Sequence, residues 1–364
     1  MRRAVSLVVT LSVACLAGCS AGSASKVRPE AVEFNHPDEV IKGEGFMVLA
    51  DRREFAVMAF LNATGYDEEA QGQQMHPVRV KVRELITANL AQHPEKVKAW
   101  RTYRNGLVRK QFQTWHFQDF ALSLSTDYPF RQIRPNNELG YSITANQLQD
   151  FPEVLNDFWQ TAKLDAVWQQ VKPDYVAEIK KYDFEKMKRE MDFLWQYLRM
   201  PRQDTLTLVN VPNLLKSYFE AIGARYEGYY YTVESPGSHG YDLDVHEYLH
   251  SIVNRLVEAD FDAQKAKLGK YRQAGKGKPF AKTYGSPITF TFESLVRALD
   301  HRLGMLQTND PADKKRIEGQ VAWETEKGLM LVQPFYNLLA EFEQSGQPFD
   351  QFLPTMLARL PEYR

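Results

Sequence analysis

The segment DVHEYLHSIVNRL, residues 244–256, places two histidines four apart with a glutamate directly after the first. If it is helical, His246 and His250 lie one turn apart on one face, so two imidazole nitrogens can reach a single metal ion. Glu247 then stands beside the first ligand around the helix, where it can reach a metal-bound water without ligating. Val245, Leu249, Ile252, Val253 and Leu256 supply an apolar stripe, so the same helix has to pack into a core. Asp242 or Asp244 can cap its start. The chain must therefore fold so that a second element meets this helix at the edge of its buried face.

That second element should carry the third ligand. A metzincin arrangement needs Gly and His three and six residues after the second histidine, and those positions hold Val253 and Leu256. Glu258 lies eight residues beyond His250, about 12 Å along the same helix, too far to close the same coordination sphere. Glu293, in FESLVRALDHRL, lies 43 residues after His250 at the start of a segment with a strong apolar face. It is the expected third ligand, with Asp300 and His301 as the fallback ligands. The alternative role for Glu293 is a helix N-terminal carboxylate favoured by the macrodipole.

The flanking segments read as follows. GFMVLAD (45–51) is a short strand and 52–64 a mostly buried helix. Residues 76–125 carry helical patterns, and 151–198 reads as two or three amphipathic helices bounded at Pro173. Phe184, Met187, Met191, Leu194 and Leu198 recur at spacings of three and four, as a core face does. DTLTLVNVP (204–212) and EGYYYTVES (227–235) read as strands, with 214–226 as a helix between them. PGSHG (236–240) is a loop before the histidine helix. The Lys-, Gly- and Pro-rich stretch 264–286 reads as an exposed loop, 290–306 as a helix, and roughly 312–345 and 348–360 as C-terminal helices.

The amino terminus, MRRAVSLVVTLSVACLAGCS, has a basic pair, an apolar run too short to span a membrane, and Leu16-Ala17-Gly18-Cys19 in the pattern of a bacterial lipobox. Residues 1–18 are thus expected to be a lipoprotein signal peptide, with lipidation at Cys19 and a tether over 19–29. Ser20 in place of Asp leans toward the outer membrane, facing the periplasm. The other cysteine, Cys15, leaves with the signal, so the exported domain has no disulfide and relies on core burial. A hydrophobic content of 44% with 25% charged residues is globular. The formal net charge of −1 becomes −3 once Arg2 and Arg3 are lost, which gives no support to nucleic-acid binding.

The pairing of HEYLHS with a downstream ESLVRAL resembles an uncharacterised bacterial family of lipoprotein or secreted domains, of gluzincin-type HExxH metallopeptidases. REFAVMAFLNATGY (53–66), the aromatic helices near 155–197 and FDQFLPTML (349–357) agree more loosely, so the resemblance spans most of the mature chain. It implies Zn2+ held by His246, His250 and Glu293, Glu247 as general base, and Arg297 as a residue that orients Glu293 or contacts substrate. The expected fold is α+β, mostly helical: a mainly helical region over 30–200, then a zincin-like catalytic region over 201–364 with a small sheet beside the HExxH helix and packed C-terminal helices. The partner would be a peptide or protein substrate, hydrolysed by zinc-activated water. Candidate oxyanion donors are His239, Tyr241, Tyr284 and His301. A non-catalytic envelope lipoprotein and a zinc amidase acting on cell-wall material remain the alternatives.

Overall fold

Strand pairing between distant segments sets the architecture. The computed structural model describes residues 40–43, 45–66, 75–108, 114–134, 146–201, 207–217, 221–226, 229–237 and 242–363. The expected signal peptide over 1–18, the expected lipidation site Cys19 and the expected tether lie outside the described residues, as do His239 and Tyr241.

An antiparallel pair, β1 (Val40–Gly43) and β2 (Phe46–Leu49), opens the described chain. Further along come β3 (Thr207–Pro212), β4 (Ala221–Tyr226) and β5 (Tyr229–Glu234), and the five form one mixed sheet in the order β1-β2-β3-β5-β4. β3 runs parallel to both β2 and β5, with Phe46 opposite Leu208 and Val209 opposite Tyr231. Leu208, Val209, Asn210 and Val211 are all buried, as expected of a central parallel strand covered on both faces.

Helices α1 (Arg52–Leu61), α2 (Pro77–Leu90), α3 (Pro94–Val108), α4 (Thr114–Ala121), α5 (Phe151–Thr161) and α6 (Leu164–Ile179) complete a first unit, residues 40–183 and 207–237. α1 starts where Asp51 accepts hydrogen bonds from the backbone N–H groups of Arg53 and Glu54. The Arg53 guanidinium, fully buried, pairs with Asp51 and donates to the carbonyls of Leu122 and Leu124, which ties the start of α1 to the end of α4. Nine of the ten residues of α1 are buried, so this helix is the centre of the unit's core. Phe55 meets Trp168 at a centroid distance of 5.1 Å, and Phe60 meets Phe151 and Phe158 at 5.4 Å each. α1 ends in a π-helical turn, Asn62–Tyr66.

The second unit, residues 184–201 and 242–363, is all-helical among its described residues. It contains α7 (Phe184–Leu198), α8 (Asp242–Ala274), α9 (Pro279–Thr283), α10 (Pro287–Gln307), α11 (Pro311–Glu326), α12 (Val332–Ser345) and α13 (Phe349–Arg359). Met187, Met191, Leu194 and Leu198 of α7 are buried as the spacing predicts. Among the described residues, no helix is long and apolar enough to cross a membrane.

Four expectations need correction. Pro173 is no boundary: α6 runs through it, because Trp168, Val171, Tyr175 and Ile179 bury one face on both sides of it and that packing offsets a lost hydrogen bond. The described residues of the expected helix 214–226 are not helical: 221–226 is an edge strand paired with β5, and sheet pairing overrides the local pattern. The expected loop 264–286 is mostly helix, since Phe261, Leu268 and Tyr271 continue the buried face of α8 while the lysines take the other side. Finally, a single boundary near residue 200 is replaced by two interleaved units. β2 needs β3 as its neighbour, so 207–237 joins the earlier part of the chain. The mostly helical α+β class stands, with the sheet in the first unit and the HExxH helix in the second.

Candidate metal centre

α8 and α10 pack along one another, and that contact brings the candidate ligands together. Leu249, Ile252, Val253 and Val257 of α8, with Leu295, Val296 and Leu299 of α10, are almost wholly excluded from solvent. The apolar stripes around each ligand thus set the distance between the two helices. His246 and His250 stand one turn apart with ring centroids 5.0 Å from each other. The potential ligand atoms of His246, His250 and Glu293 all lie within 4.8 Å of one another, and all three residues are buried.

The cluster fits a metal ion. His250 Nε2 lies 3.5 Å from Glu293 Oε2, and His246 Nε2 lies 3.9 Å from Glu293 Oε1. Tetrahedral zinc with bonds near 2 Å holds its donors about 3.3 Å apart, so these edges need close only slightly. His246 Nε2 and Glu293 Oε2 are buried with no hydrogen-bond partner among the described residues. Two such atoms cost about 1–3 kcal/mol each when left unpaired, and a cation between them satisfies both. Two imidazoles and one carboxylate suit a divalent transition ion better than calcium or magnesium.

A second set of side chains orients the first. His246 Nδ1 is 2.6 Å from Asp300 Oδ2, so the ring donates there and turns its Nε2 lone pair toward Glu293. His250 Nδ1 is 3.2 Å from Asn254 Oδ1, one turn further along α8, with the same consequence. Glu293 Oε1 accepts from Arg297 Nε at 2.5 Å, and Arg297 Nη1 donates to Glu324 Oε1 at 2.9 Å. Glu324, on α11, also bonds His301 Nε2 at 2.9 Å and accepts from Gln320 Nε2 at 3.2 Å. The Arg297 guanidinium lies over the Phe280 ring at 5.2 Å.

The electrostatics follow from burial and these pairs. Burial pushes the Glu293 carboxyl up, but the nearby charge of Arg297 and the facing His250 and His246 outweigh it and hold the group well below the usual carboxylate range. Burial lowers His246, yet Asp300, and after it Glu293 and Glu247, raise it to about 9. Glu324 is pushed up by burial and pulled further down by His301 and Arg297. Tyr284 is raised well above its ordinary value, by burial first and then by the Glu293 charge. Without an ion, the site therefore holds an ionised Glu293 and a proton on His246 at neutral pH.

No family model, curated protein or solved structure matches the chain. The family resemblance thus rests on the quoted motifs, and the centre is described by its own geometry.

The cluster contains His246, His250 and Glu293, with Glu247 buried beside His246 on α8. The fallback ligands are used differently: Asp300 supports His246, and His301 is engaged by Glu324. His301, four residues beyond Arg297 on α10, faces α11, which leaves its Nε2 committed to Glu324 and not to an oxyanion. Tyr284 is buried, with its hydroxyl beside Glu293 and Arg297. Asn254 and Glu324 escaped the sequence reading. Asn254 had a signal, its i+4 spacing from His250; Glu324 had none, because only tertiary packing brings α11 to Arg297.

Proposed function

We infer that the protein is a zinc-dependent metallopeptidase of gluzincin type. The observation that carries this reading is the buried His246–His250–Glu293 group, with ligand atoms within 4.8 Å of one another and Glu247 next to it on the same helix. A structural metal site has no need of that glutamate. His246, His250 and Glu293 would hold the ion, and a bound zinc ion would supply Lewis acidity, acidifying water and polarising a carbonyl. Glu247 takes the proton of the attacking water and delivers it to the leaving nitrogen. Asp300 and Asn254 keep the imidazoles in register, and Arg297, itself held by Glu324, fixes the Glu293 carboxylate. Tyr284 is the remaining described side chain suited to donate to a developing oxyanion.

The lipobox pattern ending in Cys19 supports placement in the bacterial cell envelope, anchored by lipid in the outer membrane and facing the periplasm. The substrate class in this reading is a peptide or protein.

Metal content measured by mass spectrometry on the purified protein, beside His250→Ala and Glu293→Ala, tests the centre. Near-stoichiometric zinc, lost in both folded variants, is the expected result. Peptide hydrolysis abolished in Glu247→Gln with zinc retained would establish the base. A folded protein that takes up no zinc when supplied with it would overturn the reading.

A further inference from the structure

Charge is unevenly spread along this chain. Between residues 263 and 292 it carries seven lysines and arginines and no acidic side chain, although the formal net charge is only −1. Two of the seven are committed within the second unit. Lys267 Nζ donates to the Ala358 and Leu360 carbonyls at 2.7 and 3.2 Å, and Lys270 pairs with Glu362 at 3.4 Å. Lys278 Nζ reaches the Met330 sulfur at 3.8 Å. Lys265, Lys276 and Lys282 are exposed, and among the described residues neither they nor Arg272 form an ion pair.

The backbone holds three of these lysines on a built platform. After α8 ends at Ala274, the N–H groups of Lys276 and Lys278 donate to the carbonyls of Gln273 and Gly275 at 3.0 Å each. A Cβ on Gly275 would come within 2.4 Å of the Gly328 carbonyl oxygen, so the turn sits directly against the α11–α12 connection. Phe280 N donates to the Lys327 carbonyl at 3.2 Å, and its ring meets Trp323 edge-on at 5.6 Å. Lys278, which precedes α9, and Lys282, within it, stand one turn apart on one face. Like charges at that spacing repel, and α9 has no acid of its own to relieve them. Lys327 adds a further cation to the platform, and its exposed pairing with Glu326 at 3.9 Å is weak. A negatively charged surface laid over the turn removes the repulsion.

We propose that this turn and α9, with Lys276, Lys278 and Lys282 at the centre, dock on the anionic phospholipid headgroups of a bilayer. Six of the seven cations are lysines. Lysine is a flexible, hydrated point charge that suits a diffuse negative field, whereas a site for one discrete anion favours the planar fork of arginine. The local aromatic rings do not offer a stacking platform for nucleobases: Tyr271 and Tyr284 are buried, and Phe280 packs on Trp323. Clusters of about four to eight basic residues are what anionic bilayers attract. The inference takes from the proposed lipid anchor at Cys19 only the nearness of a bilayer; the attraction itself belongs to the second unit and does not involve the metal.

Hydrogen exchange of the full chain tests it, with vesicles of phosphatidylcholine alone and with vesicles of equal parts phosphatidylcholine and phosphatidylglycerol. Exchange at residues 275–284 should slow at least about threefold with the anionic vesicles only, and recover when salt is raised well above physiological strength. Lys276→Glu/Lys282→Glu, at two exposed positions, should abolish the slowing, with thermal melts verifying that the variant is folded. Equal exchange with the two vesicles overturns the proposal, as does slowing that survives the charge reversal or high salt. Sedimentation with the neutral vesicles reads the anchor separately. A chain that stays in solution there, yet is slowed at 275–284 by the anionic vesicles, keeps the proposal and loses the anchor. One that sediments with both, with no difference at 275–284, keeps the anchor and loses the proposal. The vesicle comparison needs no variant, so a misfolded mutant leaves the test intact.

Discussion

At the scale of single residues, the charge beside His246 does two opposed things. Asp300 raises the basicity of the ring, which favours a metal and a proton alike. With His246 raised to about 9, a proton must leave before the ring can ligate, so metal affinity should fall as the pH drops below that value. Asp300→Asn should therefore weaken zinc binding about 10–100-fold above roughly pH 9, where no proton competes. The deficit should narrow toward about pH 7, because the variant ring holds its proton less tightly. Competition against a chromogenic chelator at both pH values checks this, and a deficit that is constant with pH would contradict it. The same shift governs the metal-free protein. A histidine raised from 6.5 to about 9 contributes stability that is fully present below the lower value and is lost as pH rises through the higher one. Melting temperatures after chelation should decline across that window, whereas those of the zinc-loaded protein should not.

At the scale of elements, two glycines near the centre should respond with opposite signs. Gly328, between α11 and α12, has φ of 119°, and a Cβ there would stand 2.8 Å from the Lys278 Cβ. Gly319, inside α11, is exposed and a Cβ there meets nothing within 4 Å. Gly328→Ala should destabilise by about 1–3 kcal/mol and Gly319→Ala stabilise by about 0.5–1 kcal/mol, as read from denaturant melts. These elements also show what a sequence makes legible. The HExxH helix was readable because ligand spacing and apolar stripe are local, and Glu293 because its helix repeats the same logic at 290–306. The lysines of 264–274 concealed the continuation of α8, since composition masked the Phe261, Leu268 and Tyr271 periodicity. The strand at 221–226 was hidden differently: its helix-like pattern is overruled by β5, which no local window contains. Glu324 depended on how α11 meets α10, a tertiary fact with no sequence spacing behind it.

At the scale of the whole molecule, all the candidate ligands and their supports fall in one unit, residues 184–201 and 242–363. An ion that binds the folded chain and not the unfolded one stabilises by mass action, about 4 kcal/mol at a thousandfold excess over Kd. The stabilisation belongs to the elements whose opening breaks the site: α8 and α10 directly, and α11 through Glu324 and Arg297. The sheet and the α1 core hold no ligand of this centre, and their stability comes from parallel pairing and aromatic packing within the first unit. Hydrogen exchange should therefore separate the two. Adding zinc to the metal-free protein should slow exchange most in α8, α10 and α11, with little change in β2, β3 and β5. Uniform slowing across both units would mean that they open as one cooperative body, and the metal would then be a determinant of the fold as a whole. Protection gained only in the second unit would mean that the first unit keeps its own stability, from its sheet and its aromatic core, whether or not the ion is bound.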